Sequence, residues 1–309
     1  MGNVHDIKLV ELAELYLYYY PSDYAFTHVM GDPRARVISP ADVRIKWKAG
    51  EVDWKTAWDV KGVGLFNLAS MHYWRNGIDF DYVDIGANIG ITAIAQGVFY
   101  KRCGMNNKVY AFEPGDVFPL LRATTVINQI DDITVCVRAA VSDQAGRVEF
   151  HLAPAQSPAS SLLRAAVSRP EIGTTRSILV DAVTFDGFTE QLRPAPGLLA
   201  NIDTEGADFK VIDGMHHTLA NRMCTIQIEW YQDVADTYCD SVDRLRELTE
   251  YFEMIDVGTK PYRIIGPGAD GFAAFVEKVR EQPRPVTDIF MVPRTLPAAD
   301  VLIARVIAE

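Results

Sequence analysis

Phe80-Asp81-Tyr82-Val83-Asp84-Ile85-Gly86-Ala87-Asn88-Ile89-Gly90 is the stretch whose reading decides the fold. It opens with apolar and aromatic residues that predict a buried strand, then breaks into a tight loop carrying two glycines. Ile91 to Gly97 continues with small and branched apolar residues, which predict a helix. Strand, glycine loop and helix together open a βαβ unit. Such loops lie at the crevice where open parallel sheets bind nucleotides.

The loop narrows the ligand. A dinucleotide fingerprint needs its second glycine so that a pyrophosphate can approach the backbone. Asn88 carries a side chain at that position, which weakens the pyrophosphate reading. Asp84 ends the strand, where a carboxylate can face a cation. A ligand with an amine or a sulfonium and no pyrophosphate fits better, and S-adenosylmethionine is such a ligand. A glycine-rich turn with no ligand is the alternative on this stretch alone.

Working outward, further strands end in acids. Lys108 to Phe112 leads into Glu113 and Pro114, and a carboxylate at the end of a second strand can accept both hydroxyl protons of a ribose. Ile133 to Val137 predicts a third strand. The small residues after it, Ala139, Ala140 and Val141, leave room for a flat adenine. Asp143 is read either as an acceptor for the adenine amine or as the cap of the turn that follows it. A fourth strand, Leu198 to Asp203, runs into Thr204-Glu205-Gly206-Ala207-Asp208, and a fifth, Cys224 to Trp230, contains Glu229. Acids crowded at a strand-to-helix junction are expensive unless something cationic uses them. Strands near 253–257 and 289–292 and helices over 242–251, 272–280 and 299–307 complete the pattern. Alternating apolar residues in 147–152 and an extended run over 177–185 predict an antiparallel excursion around 147–185. Ser160 and Ser161 in its proline- and serine-rich connection are expected on a solvent loop.

Upstream, His5 to Tyr20 has helical periodicity with a stripe of Tyr16, Tyr18, Tyr19 and Tyr20, and Leu65 to Trp74 predicts a second helix. Residues 1–78 are therefore read as a mainly helical extension over the crevice mouth, and 79–309 as the ligand-binding domain. The chain has 309 residues, with 41 acidic against 30 basic and a net charge of −11. Without a basic run it lacks the electrostatics of nucleic-acid binding. Four cysteines with no C-x-x-C spacing fit a reducing compartment and no structural zinc. The N-terminal apolar pattern is interrupted by Asp6, Lys8, Glu11 and Glu14, so no secretory signal is read. There is no uncharged apolar run of about 18 residues either, so no membrane span is expected. The expected location is cytoplasmic.

In order, Asp84-Ile-Gly-Ala-Asn-Ile-Gly90, Tyr110-Ala-Phe-Glu-Pro114, Ala139-Ala-Val-Ser-Asp143, Ile202-Asp-Thr-Glu-Gly-Ala-Asp208 with Val211-Ile-Asp-Gly214, and Ile228-Glu229 resemble the FkbM family of S-adenosylmethionine-dependent methyltransferases. The resemblance covers roughly residues 80–230. It implies an α/β class I methyltransferase fold, a Rossmann-like, seven-stranded, mostly parallel sheet with helices on both faces and an antiparallel last strand. It also implies O-methylation of a hydroxyl, often on a sugar or a polyketide-type natural product. By position, Asp84, Gly86, Ala87, Asn88 and Gly90 would hold the methionine end of the cofactor. Glu113 and Pro114 would lie at the ribose, and Ala140, Val141 and Asp143 at the adenine. Asp203 and Glu205 would face the transferring methyl.

An alcohol needs somewhere to send its proton, which calls for a base or a metal. Asp203, Glu205 and Glu229 are the candidate catalytic residues. Asp203 and Glu229, at neighbouring strand ends, are alternatively ligands for Mg²⁺, although no metal-binding set is assigned. His216 and His217 are read as an exposed helix face in preference to a base or ligand. The acidic turn at 203–206 replaces the proline-rich turn usual in amino-group methyltransferases of nucleic acids, which argues for a small-molecule hydroxyl substrate. Two further readings stay open: an NAD-dependent oxidoreductase, disfavoured by Asn88, and a non-catalytic adaptor, disfavoured by the retained acids.

Overall fold

The computed structural model describes residues 24–28, 36–40, 58–153, 159–169, 172–266 and 269–309. Its centre is an eight-stranded sheet of order β12-β11-β13-β10-β9-β3-β4-β5. In chain order these strands are β3 (Phe80–Ile85), β4 (Val109–Phe112), β5 (Thr134–Val137), β9 (Gly197–Ile202), β10 (Met223–Tyr231), β11 (Phe252–Asp256), β12 (Arg263–Ile264) and β13 (Val286–Pro293). Strands β5, β4, β3, β9 and β10 are mutually parallel. Strand β13 runs antiparallel between β10 and β11. This is the class I methyltransferase order, with one departure: the two-residue β12 pairs antiparallel on β11 and adds an eighth strand at the edge.

The central strands read as continuous apolar runs because both faces are covered. Every residue of β3 and of β9 is buried. On one face lie helices α1 (Trp58–Arg75), α2 (Ile91–Cys103) and α3 (Phe118–Ile127), with α8 (Ala299–Ala308) beside them. The other face carries α4 (Asp208–Asp213), α6 (Ser241–Leu248) and α7 (Ala269–Arg280). Helix α5 (His216–Asn221) leads from α4 back to the start of β10. Phe209, Phe272 and Phe275 pack into this second core with Phe185 and Phe188.

Ahead of the sheet, the structure differs from the extension read over residues 1–78. The helix expected over residues 5–20 and its tyrosine stripe lie outside the described residues. Strands β1 (Tyr24–His28) and β2 (Arg36–Pro40) pair antiparallel within the extension that was read as mainly helical. The helix expected from Leu65 belongs to the sheet domain itself. Phe66 meets the ring of Tyr82 edge-on at 5.1 Å and that of Phe290 at 5.8 Å, and Tyr73 meets Phe80 at 5.5 Å. A boundary at 78/79 would split one core. Burying Phe66 and Tyr73 against the strands places α1 on the sheet face and not over the crevice mouth.

Beside the main sheet stands a smaller one of order β6-β8-β7, formed by β6 (Ala140–Val141), β7 (Gly146–Leu152) and β8 (Arg176–Val183). Strands β7 and β8 form an antiparallel ladder, and β6 pairs parallel with β8. The segment between β7 and β8 returns toward the carboxyl ends of the main strands.

Candidate active site

The loop after β3 is held by backbone pairing. Gly86 and Ala87 both donate N–H bonds to Phe112 O, at 3.1 and 2.9 Å, and Asp203 N donates to Ile85 O at 2.9 Å. Gly86, Asn88 and Gly90 have left-handed φ values of 86°, 50° and 92°. Asparagine is among the few side chains that tolerate this region. At Gly86 the need for glycine is also spatial, since an added Cβ would fall 1.9 Å from Asp203 O.

Gly86, Asn88, Glu113, Pro114, Ala140, Val141 and Asp203 line one pocket at the carboxyl edge of the sheet. Phe150, Ser160 and Leu162 close it from the side-sheet segment. Glu113 Oε2 accepts Asn88 N at 2.9 Å and Oε1 accepts Gly115 N at 2.6 Å, so one carboxylate ties two loops together. Burial pushes its pKa up from 4.5 to about 7, against the pull of those two N–H bonds.

Other expected residues stand back from the pocket. Asp84 is fully buried and does not line it. Its Oδ2 accepts from Thr92 Oγ1 and from Ala93 N, and its Oδ1 accepts from Asn201 Nδ2 at 2.9 Å. Burial raises its pKa, and the same bonds oppose the shift. Ala87 and Gly90 shape the loop from beneath, with Gly90 as the N-cap of α2. Asp143 also lies outside the lining, where it accepts from Ser142 Oγ at 2.7 Å and Lys210 Nζ at 3.1 Å. Burial would raise its pKa, but those two partners outweigh burial and hold it below the ordinary carboxylate value.

Next to the pocket, carboxylate oxygens of Asp203, Glu205 and Glu229 all lie within 4.8 Å of one another. Asp203 thus belongs to both the pocket wall and the acid cluster. Glu205 takes a left-handed φ of 52°, an unfavourable conformation for a residue with a long side chain. Arg169 Nη2 bonds its Oε2 at 3.1 Å, and Arg284 Nη2 approaches the same oxygen at 3.6 Å. Both guanidiniums also lie over the ring of Tyr231, at 5.0 and 4.8 Å from its centroid. Burial raises the pKa of Glu205, while the two arginines pull it back. Glu229 is pushed well above the carboxylate range, first by burial and then by Glu205, Asp203, Asp288 and Asp208. Asp208, 2 % exposed, is raised to about 7, mainly by burial.

Sequence reasoning missed Arg169, Arg284 and Tyr231. Arg169 precedes Pro170, and Arg284 stands between Pro283 and Pro285. Proline flanks restrict the backbone, and that was the one signal available for these positions. The solvent-loop reading of the two serines needs correction. Ser160 lines the pocket, and Ser161 is 1 % exposed and donates to Thr204 O at 3.0 Å. The Ser161 bond pins the connection to the turn after β9. His216 and His217 lie on α5, which Asp186 caps by accepting from His217 N and Thr218 N. They are remote from the acid cluster, on the helix that leads back to the opposite sheet edge.

A family model described as "Methyltransferase FkbM domain" matches residues 84–253, more than half of the chain and the span that holds every residue of the pocket. The chain belongs to the FkbM methyltransferase family. As a member it is a methyltransferase that uses S-adenosylmethionine, which removes the oxidoreductase reading. No curated protein matches it significantly. Among solved structures it is similar to a putative class I S-adenosylmethionine-dependent methyltransferase from Listeria monocytogenes, at 6% identity and a TM-score of 0.40, covering 98% of this chain and 79% of that one. It is also similar to an rRNA methylase from Streptococcus thermophilus, at 10% identity and a TM-score of 0.36, covering 73% and 94%. An O-methyltransferase from Bacillus cereus, solved in complex with SAH, matches at 11% identity and a TM-score of 0.33, covering 81% and 86%. The strand order carries the fold, and overlays at these scores add nothing about substrate.

The pocket of this FkbM chain fits its cofactor chemically. Its lining offers the glycine loop at Gly86 and Asn88, the acid Glu113 at the end of β4, and the small residues Ala139 and Ala140. Among the described residues no helix is long and apolar enough to cross a membrane.

Proposed function

We propose that this FkbM methyltransferase methylates a hydroxyl of a small molecule, a sugar or a polyketide-type product. The observation that carries the reading is the double position of Asp203, which lines the cofactor pocket and touches the acid cluster. A methyl donor in that pocket and an acceptor oxygen beside Glu205 would therefore be neighbours.

When bound, S-adenosylmethionine supplies an electrophilic methyl on a sulfonium. Gly86, Asn88 and Asp203 would hold its methionine end, Glu113 its ribose, and Ala140 and Val141 its adenine. Asp84 would act from behind by fixing the loop to α2 and β9, and Asp143 by fixing the turn after β6 through Lys210. Methyl transfer is an in-line displacement, so fixing the acceptor oxygen supplies much of the rate. Glu205 is held for that task by Arg169 and Arg284. Burial raises its basicity, and a base with a pKa nearer the working pH takes a proton more effectively. The net charge of −11 and the acidic turn at 203–206 favour an uncharged or cationic small molecule over a nucleic acid.

The test is methyl incorporation from labelled S-adenosylmethionine across a panel of glycosides and macrolides, with rRNA included. Transfer to a hydroxyl, cut by Glu205→Gln far more than cofactor affinity is cut, is the expected result. Transfer to rRNA alone would overturn the substrate class. Tight cofactor binding with no transfer to any member would favour an adaptor.

A further inference from the structure

We propose that Asp203, Glu205 and Glu229 bind one divalent cation, of the Mg²⁺ or Mn²⁺ class, beside the cofactor pocket. Three carboxylate oxygens from three separate positions, the end of β9, the turn after it and the end of β10, converge within 4.8 Å. Two oxygens on opposite sides of a hard cation bound at about 2.1 to 2.4 Å stand about 4.2 to 4.8 Å apart, so this spread suits one shared ion. An all-oxygen donor set selects Mg²⁺, Mn²⁺ or Ca²⁺ over softer metals.

A second, independent observation is the orphaned oxygen of Glu229. Its Oε2 is closed off from solvent and has no hydrogen-bond partner among the described residues. A buried carboxylate oxygen without a donor is costly, and native proteins rarely leave one that a water, a proton or an ion does not complete. Asp208 Oδ1, close behind, is likewise buried without a partner. Among the described residues two cations approach the cluster, but both guanidiniums are on Oε2 of Glu205. They offset that one charge. Neither guanidinium bonds Glu229, around which Asp203, Asp208 and Asp288 add further negative charge.

The chemistry of the ion rests on the methyl-transfer reading: a bound cation would lower the pKa of an acceptor hydroxyl and hold its oxygen in place. Its binding does not rest on that reading and can be measured without turnover. The experiment is Mn²⁺ titration of the full chain, stripped with chelator, followed by water proton relaxation and calorimetry, with Mg²⁺ as competitor. One saturable Mn²⁺ per chain, displaced by Mg²⁺ and weakened at least tenfold by Glu229→Gln, is expected. Should Glu229→Gln misfold, Asp203→Asn alters an exposed side chain and must weaken Mn²⁺ by a similar factor. Cofactor titration of Glu229→Gln verifies that the pocket is intact, and circular dichroism verifies the fold of Asp203→Asn, whose side chain lines that pocket. No saturable Mn²⁺ binding, or binding unchanged in both variants, overturns the site. Full methyl transfer in chelator by metal-free protein overturns the ion's part in the transfer while leaving the hydroxyl reading standing. Mn²⁺ binding that both substitutions weaken, with no hydroxyl methylated, leaves the site standing and removes that reading.

Discussion

At the scale of single residues, Glu113 ties two loops together at the wall of the pocket. Its two oxygens already accept N–H groups from the glycine loop and from Gly115, and it still forms part of the pocket wall. Glu113→Gln replaces an acceptor with a donor beside Asn88 or Gly115. It should weaken S-adenosylmethionine binding by about 1 to 3 kcal/mol, read by calorimetry. With a pKa of about 7, the unliganded side chain loses its charge just below neutrality. Only the carboxylate accepts from both ribose hydroxyls, so cofactor affinity should be flat above about pH 7 and fall as pH drops below it. Affinity independent of pH would place the ribose elsewhere. Glu113 was legible in the sequence because an acid at the end of a strand has few other uses. Arg169 and Arg284 were not, because they reach Glu205 from distant segments, and nothing local marks a residue whose partner is remote in sequence.

At the scale of elements, the join between β3 and β9 carries the site. Gly86 lies where the loop crosses the end of β9, and an added Cβ would meet a backbone oxygen, which cannot swing aside. Gly86→Ala should cost at least about 1 kcal/mol from its positive φ alone, and more from the contact, in denaturant unfolding. Gly77 offers the control: it also has a positive φ, yet a Cβ there meets nothing. If Gly77→Ala and Gly86→Ala prove equal in cost, the close approach to Asp203 is not what the loop requires. The βαβ opening was readable because period and punctuation agree along one stretch. The two-residue β12 was not, since two exposed residues carry no period. Helix α1 was seen but misplaced: its apolar face could be counted, whereas the partner of that face, Tyr82 and Phe290, only folding reveals.

At the scale of the whole molecule, the buried acids set how stability responds to pH. Glu113 and Asp208 move from 4.5 and 3.8 to about 7, so the folded chain holds protons that the unfolded chain releases. Their contribution is complete below the unfolded values and is lost as pH rises through about 7. Glu205 and Glu229, also raised, act with the same sign. Asp132 and Asp143, held low by Lys101 and Lys210 against their own burial, act oppositely and only at lower pH. The melting temperature of the unliganded protein should therefore decline as pH rises from about 5 to about 8. A rising or level melting temperature over that interval would contradict the burial of these groups.

Strand β13 is flanked by β10 and β11, both of which precede it in the chain. During synthesis those two neighbours leave the ribosome with open edges and wait for Val286–Pro293 to fill the gap between them. This side of the sheet thus closes only after Val286–Pro293 has been made, and until then the nascent polypeptide exposes two unpaired borders to chaperones, proteases and its own kind.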